Sequence, residues 1–364
     1  MRYRHSPPEL LDTTGDPLLL DPYSTASSSF KSHTFDIYPF FDLASPNTTL
    51  VLTAQDDLPI RLTNALDFDY THASYPWVNT LREEWLAPYS IAFSLDGTRF
   101  VAGAKERIAV FDLSRDGTEP LSSFATRKAR KARKYGEIDL GLAGLVFSLS
   151  INKVDCTLAA GTTQRQIGLW ADEGGGPHIA SFSLCDQSSG GEVAVKGNGV
   201  GQIEWSPCGR YLFVAERQSD SVLIYDIRVT GRRLGWLRGR NAMTTQKLGF
   251  DTVAIEDGKL SVLAGGTDGR VRTWKDVTSK EGAIEADESF LVSSGQSSVT
   301  LGLVLSSRVA DIGLTETVSN TMLHPSVPIV ATTSGQRNEP YFAIDPEEVS
   351  KLTVYDNKLS AWEV

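Results

Sequence analysis

The residues with the clearest potential for chemistry form a short basic stretch, Arg127-Lys128-Ala129-Arg130-Lys131-Ala132-Arg133-Lys134-Tyr135. It places six cations in nine residues of a chain whose formal net charge is −10. Three interpretations fit the stretch: an arm that contacts RNA phosphates with salt-sensitive affinity, a nuclear localisation signal, and a solvated loop. The residues that would contact RNA are Arg127, Lys128, Arg130, Lys131, Arg133 and Lys134.

Further along the chain, a second group of cations surrounds a tryptophan. Arginine beside an aromatic ring suits stacking with the bases of single-stranded RNA. An outer β-strand whose arginines keep their charged ends in water gives the same pattern. On the first interpretation, the RNA-binding candidates are Arg232, Arg233, Trp236, Arg238, Arg240 and Lys247.

One more polar pair, Gln336-Arg337, follows the apolar run Ile329–Thr333. A charged residue just beyond a buried strand either anchors a loop or contacts a ligand. Gln336 and Arg337 are therefore further RNA-binding candidates.

Catalysis and metal binding find no support in the sequence. The five histidines stand outside recognisable nucleophile and metal motifs. Cys156, Cys185 and Cys208 lack the spacing of zinc ligands, and we expect them to be buried thiols in a reducing compartment. We expect a non-enzyme with no catalytic residue, metal site, cofactor or small-molecule substrate.

The N-terminus lacks the basic and apolar segments of a signal peptide, and Leu18–Leu20 is too short to span a bilayer. We expect a soluble intracellular protein with no membrane association. Its sequence pI of about 5.1 gives no general attraction to nucleic acid, so any RNA contact requires a local basic surface.

Short apolar runs bounded by turn residues predict that strands, rather than helices, position these side chains. Ile91–Gly97 ends in an Asp-Gly turn, Arg99–Gly103 is the return strand, and Ile108–Asp112 closes on an aromatic-Asp pair. The Asp then accepts hydrogen bonds from the following turn. Further copies begin at Tyr38, Leu145, Ile203, Phe250 and Met322.

One such sheet cannot bury both of its faces alone, so the sheets must stack on each other. The repeats predict an all-β, WD40-type β-propeller with six recognisable blades. We assign residues 34–364 to the propeller and 1–33 to a partly disordered N-terminal segment, in which Asp16–Leu20 could supply a ring-closing strand. The predicted loops are 65–84, 127–135, 174–177, 190–199, 293–317 and 338–349, of which 293–317 could also be an extra strand or foreign sequence.

Four segments resemble the telomerase Cajal-body protein family of WD-repeat proteins and its fungal relatives. The most specific is Leu323–Arg337, which contains Ser-Gly-Gln-Arg, although the acidic loop expected after it is short. Thr244–Asp251 resembles the family's approach to a blade, Asp57–Arg61 a third strand, and Pro7–Leu11 the linker after the first blade. Together they sample most of the chain.

The resemblance implies seven blades in the full family, and the position of Pro7–Leu11 implies that this chain lacks the first or closes with six. It further implies a nuclear scaffold that binds small nuclear or Cajal-body-type RNA and ribonucleoprotein proteins, and that assists telomerase or spliceosomal ribonucleoprotein assembly or localisation. We expect a monomer in the nucleus, with the cytoplasm as a second compartment. The alternative is a scaffold that binds only proteins.

Overall fold

The computed structural model describes residues 29–79, 82–127, 141–184, 195–254, 258–292, 317–323, 329–334 and 358–363. These residues form β-strands joined by turns, with 3-10 turns at 172–174 and 227–229. No helix in the described ranges is long and apolar enough to cross a membrane. The described residues up to Glu216, with Leu223–Gly235, form one compact unit, and Arg217–Val222 with those from Trp236 onward form a second.

Three four-stranded antiparallel sheets occupy the first part of the chain. The first contains β1 (Ser32–Ile37), β2 (Leu50–Gln55), β3 (Ile60–Asn64) and β4 (Thr71–Tyr75). A two-stranded hairpin follows, β5 (Val78–Asn79) with β6 (Glu84–Trp85). The second sheet contains β7 (Ser90–Phe93), β8 (Arg99–Ala104), β9 (Arg107–Asp112) and β10 (Ser122–Ala125). The third contains β11 (Val146–Ile151), β12 (Leu158–Thr162), β13 (Gln166–Trp170) and β14 (His178–Ser183).

Three further sheets follow in the described ranges. The fourth contains β15 (Val200–Trp205), β16 (Tyr211–Glu216), β17 (Val222–Asp226) and β18 (Arg233–Leu237). Next along the chain come β19 (Phe250–Ala254), β20 (Leu260–Gly265), β21 (Arg270–Trp274), β22 (Gly282–Ile284) and β23 (Glu288–Leu291). Of these, β22 joins the fourth sheet beside β18, and the others form the fifth. The sixth contains β24 (Val318–Leu323), β25 (Ile329–Ser334) and β26 (Lys358–Glu363).

The second strand of each sheet carries the core, as β8 shows. Five of its six residues are buried, because sheets pack against both of its faces. Gly103 near its end permits the closest approach: a Cβ there would lie 2.5 Å from Val146 Cγ1 and 2.6 Å from Ser90 Oγ. The small residue at this position therefore allows β7, β8 and β11 to lie close together.

The aspartate that ends the third strand caps the next turn. Asp112 accepts hydrogen bonds from the Ser114 amide at 2.8 Å and the Ser114 hydroxyl at 2.7 Å. In the fourth sheet, Asp226 accepts one from the Arg228 amide at 3.0 Å. These bonds confirm the structural role predicted for the aspartates of the repeat.

One predicted loop and one predicted strand were wrong. The predicted loop 65–84 contains β4 and the β5–β6 hairpin. The first strand expected at Tyr38–Phe41 lies earlier, at β1, and Tyr38–Phe41 forms a turn in which the Phe41 amide bonds to the Tyr38 carbonyl at 3.0 Å. Pro39 has no amide proton to donate to a sheet, which favours a turn there.

The prediction of buried cysteines was also wrong for the two that the structure describes. Cys156 and Cys208 are exposed free thiols. Each lies in the tight turn between the first two strands of its sheet, and Cys156 has a φ of 59°. Because turns lie at the surface, a small apolar residue there is not carried into the core. Cys185 lies outside the described residues.

Candidate nucleic-acid interface

The basic stretch begins just after β10. Hydrogen bonds between Thr126, Glu106 and Leu142 hold this point in place, and we call it the base of the basic stretch. Thr126, which follows β10 and is fully buried, donates its amide to the Glu106 carbonyl at 2.9 Å. Its hydroxyl donates to the Leu142 carbonyl at 2.9 Å, and the Leu142 amide donates to the Thr126 carbonyl at 3.3 Å. Leu142 is buried in a core cluster with Val101 and Trp170. The two ends of segment 127–141 are therefore held together.

Arg127 is the only member of the basic stretch that falls within the described residues. Its side chain is 46% exposed and pairs with Glu106, Nη1 to Oε1 at 3.3 Å. Such exposed pairs contribute little free energy, so phosphate could replace Glu106 as the partner. The remaining candidates lie outside the described residues: Lys128, Arg130, Lys131, Arg133 and Lys134.

The turn between β8 and β9 lies beside this base. Glu106 has a φ of 53° and donates its amide to the Gly144 carbonyl at 2.9 Å. Its neighbour Lys105 is exposed and forms an isolated bridge with Leu145, just before β11. Lys105 thus adds a cation to the base of the basic stretch, which the sequence reasoning missed because its charge stands apart from any cluster.

Aromatic rings also lie at this end of the first unit. The His33 and Tyr89 ring centroids are 4.5 Å apart, and those of Tyr89 and Phe147 are 6.5 Å apart with an interplanar angle of 28°. His33 is near the start of β1, Tyr89 directly precedes β7, and Phe147 is the second residue of β11. These residues form an aromatic row across three sheets, which the sequence could not show because they are far apart along the chain.

Arg165, in the turn between β12 and β13, is committed to a structural pair. Its guanidinium binds Glu216 through Nε–Oε1 at 2.6 Å and Nη2–Oε2 at 2.8 Å, and Nη2 also donates to the Val195 carbonyl at 3.0 Å. The Glu216 side chain is completely buried. A carboxylate this deeply buried needs its cation, so Arg165 is not available to phosphate.

The residues of the second cation group that lie in β18 are divided between its two faces, because side chains alternate along a strand. Arg233, Gly235 and Leu237 are buried, whereas Leu234 and Trp236 on the opposite face are half-buried. Side chains three residues apart in a strand point to opposite faces, so Arg233 and Trp236 cannot form one stacking surface. The segment is a strand with β22 beside it, but Arg233 is buried, so the interpretation in which the arginines of an outer strand keep their charged ends in water is wrong for Arg233.

Arg240 is buried rather than presented to a ligand. Its side chain donates from Nε to the Gly265 carbonyl at 3.1 Å and from Nη2 to the Gly249 carbonyl at 2.6 Å. Desolvation lowers the pKa of its guanidinium to about 10, with the nearby Asp220 opposing that shift. Arg240 thus satisfies buried carbonyls at strand ends, and it cannot contact RNA in this structure.

The remaining predicted residues of this group are more accessible. Arg232 is exposed, and Arg238 is exposed with its Nη1 3.4 Å from Glu285 Oε1. Lys247 reaches solvent, although surrounding protein desolvates its ammonium group and lowers its pKa. Gln336 and Arg337 lie outside the described residues. RNA contact by all of these residues stays a prediction.

The chain is similar in sequence to several known proteins. The chain is 30% identical over 244 residues to guanine nucleotide-binding protein negative regulator 1 of Schizosaccharomyces pombe, covering 67% of this chain and 56% of that protein. It is 27% identical over 301 residues to human telomerase Cajal body protein 1, covering 82% of this chain and 46% of that protein. The chain is a relative of telomerase Cajal body protein 1.

No protein-family profile matches the chain. The chain spans about half the length of the curated relatives it matches. Among solved structures, the WD40 repeats of RRP9 superpose with a TM-score of 0.55 and 12% identity, over 85% of this chain and 75% of that one. At that identity the match shows the fold alone, and it confirms the WD40-type β-propeller.

Two of the segments that resemble this family lie where the resemblance predicted them. Asp57–Arg61 leads into β3, the third strand of the first sheet. Thr244–Asp251 crosses from the fourth sheet into β19, the first strand of the fifth. The resemblance therefore extends from sequence to position in the sheets.

Proposed function

We propose that this chain is a nuclear WD-repeat scaffold that binds small nuclear or Cajal-body-type RNA and assists ribonucleoprotein assembly or localisation. The observation that carries the proposal is the basic stretch on its anchored base, in a relative of telomerase Cajal body protein 1. Six cations on a short segment concentrate positive charge in a chain whose net charge is negative. The proposed role is non-enzymatic.

Ultraviolet crosslinking in nuclei, followed by sequencing of the recovered RNA, tests this function. The comparison is the full chain against a variant in which the six cations of Arg127–Lys134 are replaced by Gln. We expect the wild type to recover a discrete set of small nuclear RNAs and the variant to lose most of it. Loss of RNA recovery with unchanged nuclear localisation would separate RNA binding from nuclear import.

Salt dependence supplies an independent physical readout. Each phosphate contact on single-stranded RNA contributes about −0.7 to the slope of log K against log salt concentration. Neutralising the stretch should flatten that slope by up to about four. A wild type that crosslinks no RNA, or a slope that the variant leaves unchanged, would contradict the proposal.

A protein-only scaffold is the second candidate, because some arginines of the first unit already pair with carboxylates. Arg165 pairs with Glu216, and Arg228 pairs with Asp226 at 2.6 Å. On this hypothesis, ribonucleoprotein proteins would be recovered with the chain after RNase treatment, and no RNA would be crosslinked to it directly.

A further inference from the structure

We propose that Tyr89 and Phe147 form a base-stacking platform for single-stranded RNA beside the base of the basic stretch. This inference rests on the proposed RNA-binding function and specifies the class of RNA. Both rings are half-buried, and they lie nearly parallel at a centroid distance of 6.5 Å.

Phe147 is more accessible than its neighbours in β11. Its neighbours Val146 and Ser148 are buried, and both take part in contacts with adjacent sheets. The Ser90 hydroxyl donates to the Val146 carbonyl at 2.8 Å, and the Ile203 amide donates to the Ser148 hydroxyl at 2.9 Å. Phe147 lies at the β-bulge between these two residues, where the register of β11 shifts, and it is half-buried, so its side chain is more accessible than those of its neighbours.

Tyr89 is held in place from the other side. Its amide donates to the Gly103 carbonyl at 2.8 Å, and its ring packs on His33. The His33 side chain is only 7% exposed and is fixed by Asp56, Nε2 to Oδ1 at 2.5 Å. Phe35, two residues further along β1 and beyond the register shift between Ser32 and Thr34, is 50% exposed. The row thus offers pre-positioned aromatic surface to solvent.

Charge identifies nucleic acid as the occupant. The platform lies at the end of the sheets where the basic stretch begins, because Leu142 and Leu145 lead directly into β11. Exposed Lys105 and Arg127 are at the same end, and the nearby carboxylate of Glu106 is paired with Arg127. Cations that follow a phosphate backbone next to aromatic rings that stack on bases are typical of single-strand recognition.

Stacking also sets the class of RNA. Bases in a duplex are paired and stacked on each other, whereas unpaired bases can turn out onto aromatic side chains. Every base has an aromatic face, so such a platform tolerates different sequences. The expected ligand is therefore an unpaired segment of RNA.

The experiment uses the full chain and a synthetic RNA of about ten nucleotides with 2-aminopurine at its centre. An abasic strand of equal length and the corresponding duplex serve as the comparison probes. We expect binding of the single strand to quench 2-aminopurine. Replacing both rings, Tyr89→Leu with Phe147→Leu, should weaken that binding by about 5- to 100-fold and leave abasic-strand binding unchanged.

Phe40→Leu is the matched control. Phe40 is a phenylalanine of the same unit that is more exposed than the platform rings, and it follows the opposite end of β1, so RNA affinity should not change. Thermal unfolding of each variant verifies that it remains folded, and the wild-type quenching tests the platform even if the double variant does not fold. Absence of wild-type quenching, or equal loss for base-bearing and abasic strands, would overturn the platform.

The outcomes separate the two proposals. If no probe binds the wild type, the RNA-binding function fails and the platform fails with it. If neutralising Arg127–Lys134 abolishes binding but the ring variants bind as the wild type does, only the platform is wrong.

Discussion

The guanidinium of Arg165 holds the carboxylate of Glu216 through two hydrogen bonds, at 2.6 and 2.8 Å. The pair joins the turn after β12 to the end of β16, and the Glu216 side chain is completely buried. Removing the arginine would leave a buried charge without a partner, which is far more costly than the pair's own net contribution. The third and fourth sheets therefore depend on this contact.

Arg165→Met should lower the free energy of unfolding by about 3–5 kcal/mol. The double variant Arg165→Met with Glu216→Leu should recover part of this loss, because it removes the stranded carboxylate. Urea denaturation of both variants measures these changes. Arg228→Met is the control, because its pair with Asp226 is exposed, and we expect no appreciable change there. A single variant as stable as the wild type would show that Glu216 finds another partner.

The buried carboxyl of Asp36 should make the stability of the folded protein depend on pH. Burial raises the pKa of its carboxyl to about 6 from 3.8, although the amides of Phe93 and Ile37 donate to it and oppose the shift. The folded state then binds this proton more tightly than the unfolded state. Stability attributable to Asp36 is thus complete below about pH 4 and falls as the pH rises to about 6, by at most about 3 kcal/mol.

Asp36→Asn should remove that dependence. We expect the difference in unfolding free energy between wild type and variant to change by up to about 3 kcal/mol between pH 4 and 7, in favour of the variant at the higher pH. Urea denaturation at several pH values gives the difference directly. Parallel curves for the two proteins would mean that Asp36 titrates normally.

The strands of the repeat could be predicted from the sequence wherever both faces of a strand are buried and its residues are therefore apolar. Arg99–Gly103 becomes β8 because sheets cover both of its faces, so nearly every position is apolar. Apart from the segment of β18, for which a strand was one of two interpretations, the outer strands were not recognised, because one face is solvated. In β10, Ser122–Ala125, half-buried and exposed residues alternate and only one residue is a large hydrophobic. No local pattern distinguishes such a strand from a loop.

The candidate interface was less predictable, because a charged residue in a sequence does not show whether its side chain points to solvent or into the core. Arg238 and Arg240 are two residues apart and look equivalent as letters, yet one is exposed and the other is 1% exposed. The aromatic row was invisible for a different reason. Tyr89 and Phe147 are distant in sequence, and only the packing of β7 beside β11 brings their rings together.

That contrast between the two arginines is itself testable. Arg240→Met should lower the free energy of unfolding by roughly 2–4 kcal/mol, because the buried carbonyls of Gly249 and Gly265 lose their donors. Arg238→Met should have little effect, since its pair with Glu285 is exposed. Thermal and urea denaturation compare the two. Equal stability of both variants would contradict the structural role of Arg240.

Glu106 should restrain RNA binding, because its carboxylate occupies Arg127 at the base of the basic stretch. Glu106→Gln removes the negative charge, keeps the shape of the side chain and retains the backbone bond to Gly144. We expect the affinity for single-stranded RNA to rise roughly two- to five-fold at fixed salt, which corresponds to the small free energy of an exposed ion pair.

Glu285→Gln makes the same charge change beside Arg238 and serves as the control. Fluorescence anisotropy at several salt concentrations measures both variants. A selective gain for Glu106→Gln would place the RNA at the basic stretch, whereas equal gains would indicate only the lower negative charge of the whole chain, and no gain would mean that Arg127 does not contact RNA.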